Sequence, residues 1–282
     1  KVKTGEGFKK FLEGLPKQLK AMELDALVTI WAETLKKEKP VIAMCGAHVL
    51  KVGLGPLLIQ ALEEKWITAL AFNGAGAIHD FELAYQGGTS EDVSAGLADG
   101  TFGMAEETGR FFNEAAQKAK KDGLGLGQSL GELISCWGCE FLEDSVVYQG
   151  WKLGVPITIH VAIGTDIVHQ HPTADGSAIG TASFRDFQLL ATVISSMKGS
   201  GLVLNIGSAV VLPEVFLKAL TIARNLCEGV EGFTTANFDM LPQYRSRVNV
   251  VERPSPGRGF QFFGHHELMI PLVFRALAEK LG

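Results

Sequence analysis

The 282-residue sequence contains few cysteines, no long apolar run and no excess of basic residues. Its four cysteines are too few for a disulfide framework in a chain of this length, which indicates a reducing compartment and predicts a cytoplasmic protein. No apolar run approaches the ~20 residues needed to span a bilayer, so we expect no membrane partner. With 26 Lys and Arg against 31 Asp and Glu, the net charge of −5 argues against a nucleic-acid partner.

The sequence also lacks the short motifs that most directly identify an active site. It has no GxGxxG dinucleotide motif, no P-loop and no His-Glu-x-x-His zinc motif. Cys136 and Cys139 form a Cys-x-x-Cys pair, but no second pair accompanies them, so we interpret both as buried structural cysteines. Function must therefore be inferred from how less specific features are arranged along the chain.

A recurring order of apolar β-like runs, glycine turns and helical stretches predicts the fold. Six β-like runs are predicted near residues 40–45, 67–73, 155–163, 201–206, 232–238 and 259–263. Helices are predicted between them, one capped by Ser183, one opened by Pro213, and a last one over residues 266–281. This order is typical of an α/β protein with a doubly wound, mostly parallel sheet.

The domain organisation follows from length and composition. With 46% hydrophobic residues the chain can bury a large core, and we expect a single α/β domain over residues 1–282. Residues 1–38 have apolar positions at helical spacing and are predicted to form a helical lead-in. Residues 85–127 are rich in glycine and polar residues, which predicts a flap or insertion across a site.

The stretch 155–180 combines a strand-like run with several ionisable residues. A metal cluster could be formed by His160, His169 and His171 with Asp166 and Asp175, although no fixed-spacing motif supports it. A metal-dependent hydrolase or lyase would use His169, His171 and Asp175. Acid–base or substrate-binding roles are the other interpretation, because histidine titrates near neutral pH. His266, at the start of the last helix, could reach a site or simply belong to that helix turn.

Glycine turns follow several of the predicted strands. Gly46, Gly74, Gly76, Gly164 and Gly207 stand where backbone N–H groups can bind a phosphate or pyrophosphate. Any one of them is equally well an ordinary βα turn.

Taken in order, four segments match a known family. They are the turn at residues 75–80, the Asp-Gly-Ser turn at 175–177, the glycine turn at 205–212 and the strand end at 234–237. Over about residues 40–275 the chain resembles the deoxyhypusine synthase family, whose NAD-binding fold also occurs in sirtuins and homospermidine synthases. The segment at residues 74–82 is also similar to the archaeal NAD-dependent ornithine cyclodeaminases.

The resemblance implies an enzyme that uses NAD to oxidise a small amine or amino acid to an imine. It implies a homo-oligomer, a dimer or tetramer, with sites between subunits. The candidates for binding the amine are Asp80 and Asp175, with His79 and His171 as proton carriers. The candidates for binding the cofactor are Gly74, Gly76, Gly207, Ser208, Thr235 and Asp239. The substrate and the choice between NAD and NADP stay open.

Departures from the family pattern argue against a true deoxyhypusine synthase. Those enzymes hold the aminobutyl group on a lysine near the C-terminus, and this chain has no lysine between Ala219 and Glu279. The nearest match offers Arg245 and Arg247, and a guanidinium does not lose its proton at neutral pH to form an imine. A metal-dependent hydrolase or lyase and a non-catalytic nucleotide-binding homologue are the alternative hypotheses.

Overall fold

The structure, a computed structural model, describes residues 7–282 and contains one sheet of six strands. The strands are β1 (Val41–Cys45), β2 (Ala69–Asn73), β3 (Ile157–His160), β4 (Leu202–Ile206), β5 (Thr234–Asp239) and β6 (Gly259–Phe263). Their order is β3-β2-β1-β4-β5-β6, and every neighbouring pair is parallel. The predicted α/β class with a mostly parallel sheet is therefore confirmed.

The helices cover both faces of the sheet. In chain order they are α1 (Phe8–Glu13), α2 (Leu19–Lys36), α3 (His48–Lys51), α4 (Gly55–Glu63), α5 (Gly74–Gln86), α6 (Val93–Asp99), α7 (Glu106–Asp122), α8 (Leu126–Ile134), α9 (Val146–Lys152), α10 (Gly176–Ser195), α11 (Val211–Leu226), α12 (Tyr244–Ser246) and α13 (His266–Leu281). Short 3₁₀ turns span Leu142–Asp144 and Ile167–Gln170, and a π-helix spans Arg247–Glu252.

The central strands are buried on both faces, which explains the continuous apolar sequence of β1 and the largely apolar sequence of β4. Val41 and Ala43 of β1 belong to one core cluster, whereas Ile42 and Met44 belong to a second one on the other face. Every residue of β1, β4 and β5 is buried. A parallel sheet covered by helices on both sides requires this pattern.

The helical lead-in is confirmed for the described residues, and residues 1–6 of the predicted segment lie outside them. The interruption between α1 and α2 contains Pro16, which cannot donate a backbone hydrogen bond. Trp31 of α2 packs edge-on against Phe274 of α13, with ring centroids 5.6 Å apart. Its indole N–H donates to the carbonyl oxygen of Trp66 at 2.8 Å, so this helix is anchored to the domain.

Three local predictions were wrong. The helix after β3 begins at Gly176 rather than at Ser183, because Asp175 caps it by accepting from the Ser177 N–H at 2.8 Å. α11 begins at Val211, two residues before Pro213, which a helix tolerates because its first turn needs no N–H donors. Cys136 and Cys139 were both predicted to be buried, but Cys136 is exposed and Cys139 is half-buried.

Residues 85–127 include two complete helices, α6 and α7, and side chains of α7 belong to the hydrophobic core. Phe111 and Phe112 of α7 are buried, and the Phe111 ring stacks on Phe81 with centroids 3.7 Å apart. The division of the chain into one domain with a flap stays a prediction. Within residues 7–282, no helix is both long enough and apolar enough to cross a bilayer.

Candidate functional site

The candidate site lies at the edge of the sheet where the carboxyl ends of the strands meet. The strand order runs outward from β1 through β2 and β3 on one side, and through β4, β5 and β6 on the other. Such a reversal of strand order opens a crevice beyond the two central strands, where open α/β sheets bind their ligands. Cys45 is in register with Ile206, so β1 and β4 end at the same level.

Two glycines bring the turns after β1 and β4 into contact at this crevice. A Cβ atom on Gly46 would lie 2.1 Å from the carbonyl oxygen of Gly207, far too close for any side chain. Gly207 has φ +67°, in the left-handed region that favours glycine, and a Cβ there would lie 2.9 Å from Cε1 of His266. Both turns therefore require glycine, and they present bare backbone where the strand order reverses.

Side chains from the strands fix the turn that follows β4. The Asn205 amide nitrogen donates to the Ser208 carbonyl oxygen at 2.9 Å and to Asn237 Oδ1 at 2.6 Å. Ser208 is buried, and its hydroxyl oxygen accepts from the Leu212 N–H at 3.3 Å in the first turn of α11. The Gly207-Ser208 turn is thereby held between two neighbouring strands and a helix start.

A pair of buried acceptors lies next to this turn. His266 Nε2 is 3.2 Å from the Phe238 carbonyl oxygen, so Nε2 carries the proton that it donates and Nδ1 is an acceptor. Neither His266 Nδ1 nor Asp239 Oδ2 has a hydrogen-bond partner within the described residues, although both atoms are buried. Asp239 Oδ1 accepts from the Met240 N–H at 2.8 Å.

The protonation state of His266 follows from its surroundings. Burial lowers the pKa of His266, and the hydrogen bond to Phe238 and the negative charge of Asp239 oppose this only in part. The His48 ring lies nearby, with its centroid 5.6 Å from that of His266. At neutral pH His266 is uncharged, and the pair of acceptors fits a ligand that supplies hydroxyl or N–H donors.

The glycines after β2 lie beside an acidic side chain. A Cβ on Gly74 would be 2.0 Å from Asp166 Oδ2, so this carboxylate rests directly on the first residue of α5. The Gly76 N–H is bonded to Asn73 Oδ1 at 3.1 Å. A carboxylate at the start of a helix is electrostatically favourable, and a phosphate at the same place would have to displace it.

Asp80 and His79 lie on α5 with partners of their own. The Asp80 carboxylate has no solvent exposure and accepts from the Ser145 hydroxyl and from the N–H groups of Val146 and Val147, at 2.7 and 3.1 Å. Burial raises the pKa of Asp80 to about 6, although these hydrogen bonds oppose the rise. His79 Nδ1 is 2.6 Å from the Thr89 hydroxyl and 3.5 Å from Glu82. The contacts of Asp80 hold α5 against the start of α9, and those of His79 hold it against the loop that follows α5.

His171 and Asp175 also have local partners. His171 Nε2 lies 2.8 Å from the carbonyl oxygen of Gly103, and a Cβ on Gly109 would lie 2.2 Å from the His171 ring, so this ring packs against the backbone of α7. Asp175 caps α10, and backbone hydrogen bonds from Ala178 and Ser177 lower its pKa. Its side chain is 42% exposed and lies 3.7 Å from Lys120 Nζ.

The sequence candidates for cofactor binding are only partly brought together. Gly207, Ser208 and Asp239 meet at the crevice, whereas Gly74 and Gly76 follow β2, one strand from β1. Thr235 lies four residues before Asp239, about 13 Å along β5, and its hydroxyl is bonded to Ser255 at 2.9 Å. The sequence predicted a role for Asp166 only in the hypothetical metal cluster, and it predicted none for His48.

The metal hypothesis lacks a ligand cluster. In the part of the chain that the structure describes, no group of three or more His, Cys, Asp or Glu side chains is arranged to hold a metal ion. His169, His171 and Asp175 are therefore not brought together as ligands.

Comparisons with known proteins give structural matches only. No protein-family model and no curated protein matches the sequence. Among solved structures, ArgZ, a cyanobacterial arginine dihydrolase from the ornithine-ammonia cycle, superposes with a TM-score of 0.57 at 15% identity over 93% of this chain. AgrE in a ternary complex with ornithine and NAD⁺ gives 0.58 at 14% identity over 92%. A candidate deoxyhypusine synthase from Entamoeba histolytica gives 0.58 at 11% identity over 96%.

The chain has the fold of the deoxyhypusine synthase-like structures. It covers 93% of the Entamoeba chain but only 33% of ArgZ and 33% of AgrE, so it spans about one third of those two proteins. At these identities the likeness establishes the fold and leaves the reaction to the residues of the site.

Proposed function

We propose that the chain binds NAD across the crevice between β1 and β4 and uses it to oxidise a small amine or amino acid to an imine. The observation that carries this proposal is the contact between Gly46 and Gly207 at the reversal of strand order. Bare backbone at this position is what the close approach of a pyrophosphate requires. The AgrE structure contains NAD⁺ and ornithine, and the third of it that superposes on this chain has a similar fold, which supports the proposal of an NAD site.

The residues around the crevice fit this cofactor. The turns at Gly46 and Gly207 would approach its phosphates, and the hydroxyl of Ser208 lies in the second turn. Asp239 Oδ2 and His266 Nδ1, both buried acceptors without a donor among residues 7–282, would receive hydrogen bonds from ribose hydroxyls. Bound NAD⁺ supplies an acceptor for a hydride. The protein has to bind and orient the amine so that its C–H bond faces that acceptor.

The family's lysine chemistry is not carried over. Arg245, near the position where the family has its lysine, donates from Nε to Glu214 at 2.9 Å, and Asn249 donates to the same carboxylate oxygen at 2.9 Å. An arginine in this ion pair stays protonated and cannot form an imine with a substrate. We therefore propose oxidation of the free amine rather than transfer of an aminobutyl group.

Cofactor binding is tested by titrating the full chain with NAD⁺ and NADP⁺ in a calorimeter. Asp239→Asn removes the charge from the acceptor at Oδ2 and should weaken binding about tenfold or more. Asp122→Asn, which changes an exposed carboxylate at the end of α7, is the matched control and should bind as the unmodified chain does. No heat of binding with either dinucleotide at millimolar concentration would reject the proposal.

The assembly is a further part of the proposal. We propose a homo-oligomer, a dimer or tetramer, in the cytoplasm, as the family resemblance implies. Light scattering on the eluting protein measures the mass directly. A particle of 30.3 kDa, the mass of one chain, would reject this part and leave the cofactor site to be formed within a single chain.

A further inference from the structure

A short segment after β3 holds two buried polar atoms that have no hydrogen-bond partner among residues 7–282. Asp166 Oδ2 and His169 Nε2 are both buried, and neither makes a hydrogen bond within the described residues. Leaving such groups unpaired costs about 1–3 kcal/mol each, more for a charged group. Two of them within four residues therefore point to a partner outside the part of the chain that the structure describes.

The two atoms offer opposite hydrogen-bonding roles. His169 Nδ1 accepts from the N–H groups of Gly164 and Asp166, at 3.2 and 3.3 Å. In a neutral imidazole an accepting Nδ1 leaves the proton on Nε2, so His169 Nε2–H is a donor. The Asp166 carboxylate is an acceptor. A single partner for both atoms would therefore supply at least one donor and one acceptor.

The pair lies at the same edge of the sheet as the cofactor crevice. Asp166 Oδ2 rests on Gly74, the residue after β2, and β2 is hydrogen-bonded to β1 with Phe72 in register with Cys45. Burial raises the pKa of Asp166, while the neighbouring His169 and a hydrogen bond from Thr165 lower it. A cationic partner would stabilise the charged form of a carboxylate in these surroundings. Such a carboxylate also accepts a proton more readily than an exposed carboxylate does.

We propose that Asp166 and His169 bind the two charged groups of an α-amino acid. The Asp166 carboxylate accepts from the ammonium group, and His169 Nε2–H donates to the carboxylate. This deepens the proposed oxidation of an amine and depends on it for the chemical step. A phosphate fits the pair less well, because it would bring acceptors and negative charge to a site that already has a carboxylate. A metal ion also fits less well, because no third side chain among residues 7–282 completes a metal site.

The chemical step balances with these residues. Asp166 takes one proton from the bound ammonium and later releases it to solvent, which leaves a neutral amine. Bound NAD⁺ would supply the hydride acceptor, and the neutral nitrogen would give its lone pair to the C=N bond as the α-carbon gives up the hydride. The net change would convert amino acid and NAD⁺ into iminium, NADH and one proton. His169 keeps its proton throughout and holds the carboxylate in place.

The test measures ligand binding without turnover. The full chain is titrated in the calorimeter with L-norvaline, pentanoate and 1-butylamine, with and without saturating NADH. Norvaline has both charged groups, pentanoate lacks the ammonium, and butylamine lacks the carboxylate. We expect norvaline to bind at least about tenfold more tightly than either of the other two.

Two variants assign the contacts, and both are designed to keep the local fold. Asp166→Asn keeps the shape and removes the charge, and it should weaken norvaline binding about tenfold or more while NADH binding is unchanged. His169→Asn keeps an acceptor for the N–H groups of Gly164 and Asp166 but loses the donor at Nε2. It should reduce the preference for norvaline over butylamine. Asp122→Asn should change neither quantity.

The outcomes separate this inference from the proposed function. Norvaline binding that depends on Asp166 in a chain that does not bind NADH would support the amino-acid site and reject the oxidation. NADH binding with no response to any of the three probes would make ordered water the partner of both buried atoms, and it would overturn the inference. Equal binding of norvaline by the unmodified chain and by both variants would also overturn it.

Discussion

Asp186 should make the stability of this protein fall as the pH rises through neutrality. Its side chain on α10 has no solvent exposure, and Oδ2 accepts from the N–H groups of Gly127 and Ile159, at 2.9 and 2.8 Å. Burial raises the pKa of Asp186 to about 7 from an ordinary value of 3.8, although the backbone hydrogen bonds oppose this. The folded chain therefore binds this proton more tightly than the unfolded chain does.

The sign and size of the effect follow from the two pKa values. Because the folded pKa is the higher one, the stabilising contribution is fully present below pH 3.8 and is lost as the pH rises through about 7. Each unit of pH between the two values costs about 1.4 kcal/mol. From pH 5 to pH 8 this single group should lower the free energy of unfolding by about 3 kcal/mol, or the melting temperature by about 5 °C.

The assay compares the chain with Asp186→Asn across this pH range. Asparagine keeps an acceptor for the two N–H groups and cannot titrate. Urea unfolding followed by circular dichroism at pH 5, 6, 7 and 8 gives the free energy for both proteins. The variant should lose about 3 kcal/mol less than the unmodified chain between the two extremes. Parallel curves for the two proteins would refute a titrating, buried Asp186.

Three further perturbations have defined outcomes. Gly46→Ala puts a Cβ 2.1 Å from the Gly207 carbonyl oxygen, so the turn must move. Calorimetry should show weaker NAD binding, and urea unfolding should show a free energy of unfolding lower by about 1–3 kcal/mol. Unchanged values of both would contradict the close contact. Asp80→Ala leaves the N–H groups of Val146 and Val147 without their acceptor, and urea unfolding should show a loss of about 3 kcal/mol; a loss below about 1 kcal/mol would show that water replaces the carboxylate. Trp31→Phe removes the hydrogen bond to the Trp66 carbonyl and should cost about 1–2 kcal/mol in the same assay, whereas a neutral effect would show that the lead-in helix is held by packing alone.

The fold could be predicted because local sequence patterns and the global architecture agree. The run of β1 is wholly apolar and that of β4 is apolar except for Asn205, a pattern typical of strands buried on both faces, and glycine follows each of them. The start of α10 was missed because Ser183 and Asp175 both fit a helix cap. Ser183 is instead bonded to β3, where its hydroxyl accepts from the Val161 N–H and donates to the Ile159 carbonyl oxygen, both at 3.0 Å. Sequence alone cannot decide between two candidate caps eight residues apart.

The sequence could predict which strand ends contribute to the site, but it could not predict which side chains meet there. Gly207 and Asp239 stand at strand ends, which the sequence pattern locates. For His266 the sequence left open both a role in the site and a role in its helix turn, and only tertiary packing, which brings it beside Gly207, decides between them. The same limit applies to Asp80, whose acidic side chain in a glycine-rich turn is typical of a ligand site. Its role in holding the start of α9 depends on contacts about 65 residues away in sequence.

A crystal structure of the full chain grown with NAD⁺ and L-norvaline tests the central claim most directly. We expect the dinucleotide to lie across the turns at Gly46 and Gly207, with a ribose hydroxyl bonded to Asp239. We expect the amino acid to lie between Asp166 and His169. A dinucleotide bound elsewhere on the chain, or density for neither compound at millimolar concentration, would contradict it.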